Sequence, residues 1–198
     1  MPDFFEVVHR QRACRAFRPD PVDDDTLGKV LDAATFAPSA ENRQPWVFLV
    51  VREAALRGAI GECNRKVWEA GARAHSEGRL SPGLLREVDE GARGGVAEAP
   101  VIVVVCGDLE LGNARVIEAS VFPAVQNLLL AATAVGLGSA LTTLPLALGD
   151  ELRGALGLPG HLQPLAVVPL GWPRKPLGPP RRIPFAEKAF RDRYGAAW

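Results

Sequence analysis

Four arginines, Arg10, Arg12, Arg15 and Arg18, fall within nine residues near the start of the chain, in and just after the run Arg10-Gln11-Arg12-Ala13-Cys14-Arg15. Guanidinium groups at that density suit bidentate capture of a phosphate or carboxylate. At a helix C-terminus they serve equally well to complement the helix dipole. A second segment, Ala37 to Trp46 (APSAENRQPW), offers Ser39, Asn42 and Gln44 as short polar groups on a loop stiffened by Pro38 and Pro45. Alone it is either a ligand-approaching loop or a well-built connection. A third, Pro179-Pro180-Arg181-Arg182, presents two more guanidinium groups from a rigid stretch, as a ligand contact or as a solvated basic patch.

The residue sets of acid–base, nucleophilic and metal catalysis are missing. There is no G-x-S-x-G elbow, no P-loop, no H-E-x-x-H and no D-x-D with supporting histidines. Gly136-Leu137-Gly138 lies at a predicted helix end, so it is not a dinucleotide-binding fingerprint. His9, His75 and His161 sit in unrelated contexts and read as ordinary surface or core residues. Cys14, Cys63 and Cys106 show no C-x-x-C spacing, so neither a disulfide framework nor a metal centre is expected.

These groups need elements to hold them. Asp3 with Glu6 predicts a capped helix ending near Arg12, and Asp23 to Asp25 cap a second with Leu27, Val30, Leu31 and Ala34 on one side. Trp46 to Val51 (WVFLVV) and Val101 to Cys106 (VIVVVC) are apolar runs bounded by turn signals, hence buried strands. Residues 53–97 are helical in pattern, broken at Ser81-Pro82-Gly83, and the most surface-like part of the chain. A long helix over about 117–136 ends at Gly136 or Gly138. A strand at Ser139 to Thr143, a helix at Asp150 to Leu156 and a strand at Leu165 to Leu170 follow. The proline-rich stretch from Gly171 reads as an extended arm. The order predicts an α+β or α/β fold with about four strands, and the apolar strands predict cover on both sheet faces.

Composition bounds the function. With 23 basic and 23 acidic residues the net charge is zero, which excludes a general nucleic-acid binder. Nineteen of the 23 cations are arginine, an excess that a GC-rich genome would also produce. At roughly 150 residues per domain, 198 residues predict one domain. Between Glu118 and Asp150 there is no charge, but Pro123, Gln126, Asn127, Gly136, Gly138 and Pro145 punctuate the run, so a buried helix, turn and strand are expected rather than a membrane span. A cytoplasmic protein without a signal peptide is expected.

Four motifs stand in register: R-x-x-R-x-F from Arg12, A-P-S-x-x-N-x-Q-P-W from Ala37, G-L-G-S from Gly136, and G-W-P with R-R-x-P-F between Gly171 and Phe185. In that order they resemble the flavin-dependent nitroreductase family. The resemblance implies an α+β, three-layer fold, with a central, mostly antiparallel sheet flanked by helices, a long central helix at a dimer interface and an extended C-terminal arm. It implies one FMN-binding domain over 1–198, with a variable lid-like region at 63–97 and the arm at 173–198. It also implies an intertwined homodimer holding FMN between its subunits. Arg12, Ala13, Cys14 and Arg15 match the segment that grips the phosphate and ribityl chain, although Ala13 stands where many members have serine. Pro38, Ser39, Ala40 and Asn42 match a loop that approaches the isoalloxazine, typically from the other subunit. Thr142, Thr143 and Leu144 match the segment beside flavin N5 and O4. Arg181 and Arg182 match the basic tail that closes on the phosphate. The implied activity is NADH- or NADPH-driven, ping-pong reduction of nitroaromatics, quinones or similar small electron-poor molecules, with no catalytic side chain of the protein's own.

Other readings stay open beside it. The run IEASVFPAVQNLLLAA, with LTTLPL after it, is similar to the iodotyrosine deiodinase branch, whose lid uses a Glu, a Tyr and a Lys. Between Glu62 and Arg93 this chain has no tyrosine and only Lys66 as lysine, which disfavours reductive dehalogenation. No feature marks the flavin-fragmenting branch that makes dimethylbenzimidazole. A flavin-binding sensor without turnover and a generic α/β binding module are readings of other classes.

Overall fold

The computed structural model describes residues 2–198. Asp3 and Asp23 start the first two helices by accepting backbone N–H groups, from Phe5 and Thr26 respectively. These helices are α1 (Phe4–Arg10) and α2 (Asp24–Thr35), and α2 buries Leu27, Val30 and Ala34 on the expected face. Strand β1 (Trp46–Val51) follows the loop. Residues 54–98 form α3 (Ala54–Val67), α4 (Arg73–Ser76), α5 (Pro82–Glu90) and α6 (Val96–Glu98), joined in part by π-helical turns at Trp68–Ala72 and Gly91–Gly95. Then come β2 (Val101–Asp108), α7 (Ile117–Ala134), β3 (Gly138–Ser139), α8 (Gly149–Leu156) and β4 (Leu162–Gly171).

The sheet order is β1-β2-β4-β3 and every pairing is antiparallel. β2 shows why there are three layers. Its alternate residues Val101, Val103 and Val105 enter a core shared with α2 and α7. Ile102, Val104 and Cys106 enter a second core with α3, α6 and α8. A strand that is apolar on both faces needs helices on both sides. α7 is long and apolar enough by composition to cross a membrane, yet it packs eight buried residues, Ile117 to Ala132, into the protein.

Four expectations are corrected. β1 is an edge strand rather than a buried one, with Val50 38% exposed. The helical break falls at residues 77–81: Ser81 caps α5 and Pro82 takes its first turn, where no N–H is required. The 53–97 region is not simply surface, since Ile60, Cys63, Asn64, Trp68, Ala92 and Val96 are buried. The strand expected at Ser139 to Thr143 stops at Ser139; beyond it a single bond from the Ala140 amide and a bridge between Thr142 and Val167 hold the chain to β4. Pro169 is the reason: it accepts from the Ala140 amide but has no N–H to return, so the ladder lapses there. Residues 140–144 thereby form a strap along the β4 edge, held to it by the Ala140 amide and by both backbone groups of Thr142.

Candidate functional site

The Arg12–Phe17 segment is extended and clamped on three sides. Ala13 forms a parallel bridge with Ser139, and the Cys14 amide donates to the Ser139 carbonyl at 2.8 Å. The start of the arm holds the other edge: Arg174 N–H donates to the Ala16 carbonyl at 3.0 Å, and Arg18 N–H to the Trp172 carbonyl at 2.8 Å. The third side is the π-helical turn. A Cβ at Gly91 would stand 2.7 Å from the Arg15 Cβ, and one at Gly95 would collide with the Arg15 carbonyl oxygen. Only glycine allows this approach.

The arginines then divide by role. Arg10 pairs with Glu6 at 3.0 Å, and Arg18 with Asp20 at 3.5 Å. Arg12 and Arg15, with Arg181 and Arg182 from the arm, line one cavity of about 630 Å³ that also touches Ala13 and includes no carboxylate among the described residues of its wall. Arg12 is loosely engaged, 3.4 Å from Glu87 and 3.3 Å from the Gly178 carbonyl. Burial pulls the Arg15 guanidinium below its ordinary pKa, and the neighbouring Glu87 opposes that shift. A guanidinium stays charged regardless. Arg182 donates to the Arg181 carbonyl at 3.0 Å, and neither Arg181 nor Arg182 has an ion-pair partner among the described residues. Four cations drawn from both ends of the chain suit a phosphate dianion.

Arg15 is also a wall of a second cavity, about 240 Å³, lined by Phe17, Asn64, Ala92, Thr142, Thr143 and Leu144 among others. The Thr142 amide and carbonyl are both bonded to Val167. Its hydroxyl donates to Asn64 Oδ1 at 2.9 Å and accepts from the Leu144 amide at 3.3 Å. Asn64, only 1% exposed, donates from Nδ2 to the Ala92 carbonyl at 3.0 Å. Sequence reasoning passed over Asn64, although a polar residue beside Ile60 and Cys63 on the buried face of α3 is a signal it could have used. Gly91 and Gly95 were also missed.

The fold therefore brings together Arg12, Ala13, Arg15, Arg181 and Arg182, and joins them through Arg15 to Thr142, Thr143 and Leu144. Cys14 faces away from both cavities, buried against Gly138 and donating its thiol to the Ala16 carbonyl at 3.4 Å. Pro38, Ser39, Ala40 and Asn42 are not brought to this site within one chain. Ala40 lines a separate cavity of about 350 Å³ with Glu41, Asn113 and Ser120. Ser39 Oγ accepts from the Gln44 amide at 3.0 Å, and Ser120 Oγ from the Ala40 amide at 3.1 Å. Glu41, Asn42 and Gln44 all hold positive φ, 53–54°, which is costly for residues other than glycine.

All three cysteines are free and buried, and burial pushes each thiol up, Cys106 to about 11. None is poised as a thiolate nucleophile. His161 is less isolated than its sequence context implied, since its Nδ1 lies 3.8 Å from Glu110. With Asp108 these donors fall within 4.8 Å of one another, at the Leu162 end of β4 and in part exposed to solvent.

The chain belongs to the nitroreductase family, whose profile matches residues 8–172. Arg181 and Arg182 lie beyond that match. The chain is 34% identical over 180 residues to a 5,6-dimethylbenzimidazole synthase of Rhodospirillum rubrum, across 83% of this chain and 79% of that protein. It is 31% identical over 214 residues to an NADH dehydrogenase of Thermus thermophilus, across 88% and 89% of the two. The structure of iodotyrosine deiodinase bound to FMN and 3-iodo-L-tyrosine is 26% identical, with a TM-score of 0.76 and coverage of 98% of this chain and 100% of that one. The three-layer α+β fold is that of the family, and the family match together with the names of these relatives supports an oxidoreductase.

Proposed function

We propose that the protein is an FMN-dependent oxidoreductase, a single domain over 1–198, that uses NADH or NADPH to reduce small nitroaromatic, quinone-like or similarly electron-poor molecules in a ping-pong cycle. One observation carries this reading: the four-guanidinium cavity and the Thr142–Leu144 cavity share Arg15 as a common wall. An anionic tail and a planar ring system joined by a short chain match that pair of spaces. FMN has this form, and the FMN-bound deiodinase has this fold. Bound here, with its phosphate held by Arg12, Arg15, Arg181 and Arg182 and its ring beside Thr142–Leu144, FMN would supply the redox chemistry that the side chains lack.

The protein's own groups bind, orient and shield. Arg12, Arg15, Arg181 and Arg182 neutralise the phosphate, and Ala13 and Cys14 supply backbone between them. Thr142, Thr143 and Leu144 form the strap beside the ring. Phe17, Val88, Ala92 and Leu141 give its cavity apolar walls that limit water. This division of labour accounts for a site with no acid, base or nucleophile.

The working unit in this reading is a homodimer in the cytoplasm. Pro38, Ser39, Ala40 and Asn42 share no cavity with Arg15 in one chain, so a second copy must supply them if they meet the ring. Phe4, Phe5, Val8 and Phe36 are exposed apolar side chains that such a partner would cover. Between Glu62 and Arg93 there is no tyrosine and a single lysine, Lys66, which pairs with Glu151 at 2.8 Å, so the Glu, Tyr and Lys set of a deiodinase-type lid is not matched there.

The test is spectroscopic. Purified protein, or apo-protein mixed with FMN, is expected to show a bound-flavin visible spectrum that NADH or NADPH bleaches without oxygen and a benzoquinone restores. Protein that takes up no FMN contradicts the reading. Bound FMN that neither coenzyme reduces would instead favour a carrier, or the flavin-fragmenting chemistry of the dimethylbenzimidazole synthases.

A further inference from the structure

The polar chain Ala92–Asn64–Thr142–Leu144 admits only one set of donor directions. A backbone carbonyl only accepts, so the Asn64 group facing Ala92 O must be the NH₂, at 3.0 Å. The amide orientation is then settled, and Asn64 Oδ1 faces Thr142. The Thr142 hydroxyl must donate its single proton there, at 2.9 Å. Its lone pairs are left to accept from the Leu144 amide, at 3.3 Å. Each member is committed, and the Thr142 hydroxyl has no proton left for a ligand. Among the described residues, the Thr143 amide and hydroxyl donate to no protein group.

The same chain spans the site. Ala92 sits in the π-helical turn whose Gly91 and Gly95 pack on Arg15, so the arginine wall and the Thr142–Leu144 strap are tied through one buried side chain. An apolar residue would suit this position on α3 by burial alone. An asparagine here is stable only because both ends of its amide are bonded.

We infer that Asn64 is the positioning residue of the ring site: it locks the Thr142 hydroxyl into a supporting role and leaves Thr143 as the donor presented to the ligand. This rests on the FMN reading above. It also assigns Thr142 a different part from the direct flavin contact that the family resemblance implies.

The test compares Asn64→Leu, Thr142→Val, their double variant and Thr142→Ser, measuring FMN affinity of the apo-proteins, the reduction potential of bound FMN, and thermal stability. Asn64→Leu and Thr142→Val are each expected to weaken FMN binding roughly tenfold, the worth of about one hydrogen bond, and to move the potential the same way, to more negative values. The double variant should lose little more than either single one, because both break one chain. Thr142→Ser keeps the hydroxyl and should match the wild type. If Thr142→Val moves the potential while Asn64→Leu does not, Thr142 touches the flavin directly and the inference is overturned. Lower thermal stability with unchanged affinity and potential overturns it too, by leaving Asn64 a packing role only. Should the wild type bind no FMN, it is the FMN reading that has failed, a result distinct from either of these.

Discussion

The Cys14 amide donates to the Ser139 carbonyl at 2.8 Å, joining the arginine segment to the residue where β3 ends and the Thr142 strap begins. Through this bond and the Ala13–Ser139 bridge, two motifs distant in sequence become adjacent edges of one site. Gly138 permits it, since a Cβ there would stand 2.6 Å from the Cys14 sulfur.

Arg12 is predicted to bind ligand without supporting the fold, because its two protein contacts are long. Arg12→Ala should weaken FMN binding by more than ~1.5 kcal/mol, the lower end for hydrogen bonds to charged groups. Its thermal unfolding should change little. FMN titration and thermal melts of the apo-protein measure both. Unchanged affinity would place the phosphate elsewhere.

Gly95 is predicted to be intolerant of the smallest side chain. Gly95→Ala drives a methyl group into the Arg15 carbonyl and should cost on the order of 1–3 kcal/mol, as overpacking does. Gly94→Ala has its nearest neighbour, Glu98 Oε1, at 3.4 Å and should be nearly neutral. Urea unfolding of the pair checks this, and equal stability would show that Arg15 is not held against the helix.

The region 63–97 is predicted to be latched through Asp89, which accepts from Trp68 Nε1 at 2.9 Å and pairs with Arg73 and Arg93, each at 3.1 Å. The Trp68 hydrogen bond, followed by the arginines, holds the Asp89 carboxyl below its usual pKa. A depressed carboxylate stabilises the fold above its unfolded pKa and loses that contribution as pH falls through the folded value. Asp89→Asn should therefore open residues 77–81 to proteolysis at neutral pH, and the wild type should approach that behaviour only in acid. Equal cleavage rates at neutral pH would count against the latch.

Burial raises the Cys106 thiol to about 11. A raised value means that the folded protein holds its proton longer than the unfolded chain. The resulting stability is complete below the unfolded thiol pKa and is lost as pH rises through the folded one. Between about pH 8.5 and 11 the wild type should lose more stability than Cys106→Val, as read from urea midpoints. Parallel pH profiles for the two proteins would contradict the burial of this thiol.

How much was legible beforehand varied with the range of the interaction. α1 and α2 were readable because Asp3 and Asp23 cap within three residues, and β2 because six consecutive apolar residues admit few alternatives. The arginines were visible as types, but their surroundings were not: Arg10 pairs at 3.0 Å with Glu6 on its own helix, whereas Arg12 holds the sequence-distant Glu87 at 3.4 Å and lines the cavity shared with Arg181 and Arg182. The early end of β3 depended on Pro169 standing opposite Ala140, a matter of register that propensity does not contain. Asn64 escaped notice because both of its partners are distant in sequence. The Pro38–Asn42 loop was recognised by motif, yet one chain does not carry it to Arg15.

An FMN titration of the apo-protein, followed in the same cuvette by NADH or NADPH without oxygen, examines the proposed function at its root. The four-arginine cavity and the adjoining strap predict saturable binding of one FMN per chain, weakened by Arg12→Ala, and bleaching of the bound flavin by at least one coenzyme. Absence of FMN binding, or binding that is indifferent to the loss of Arg12, would contradict it.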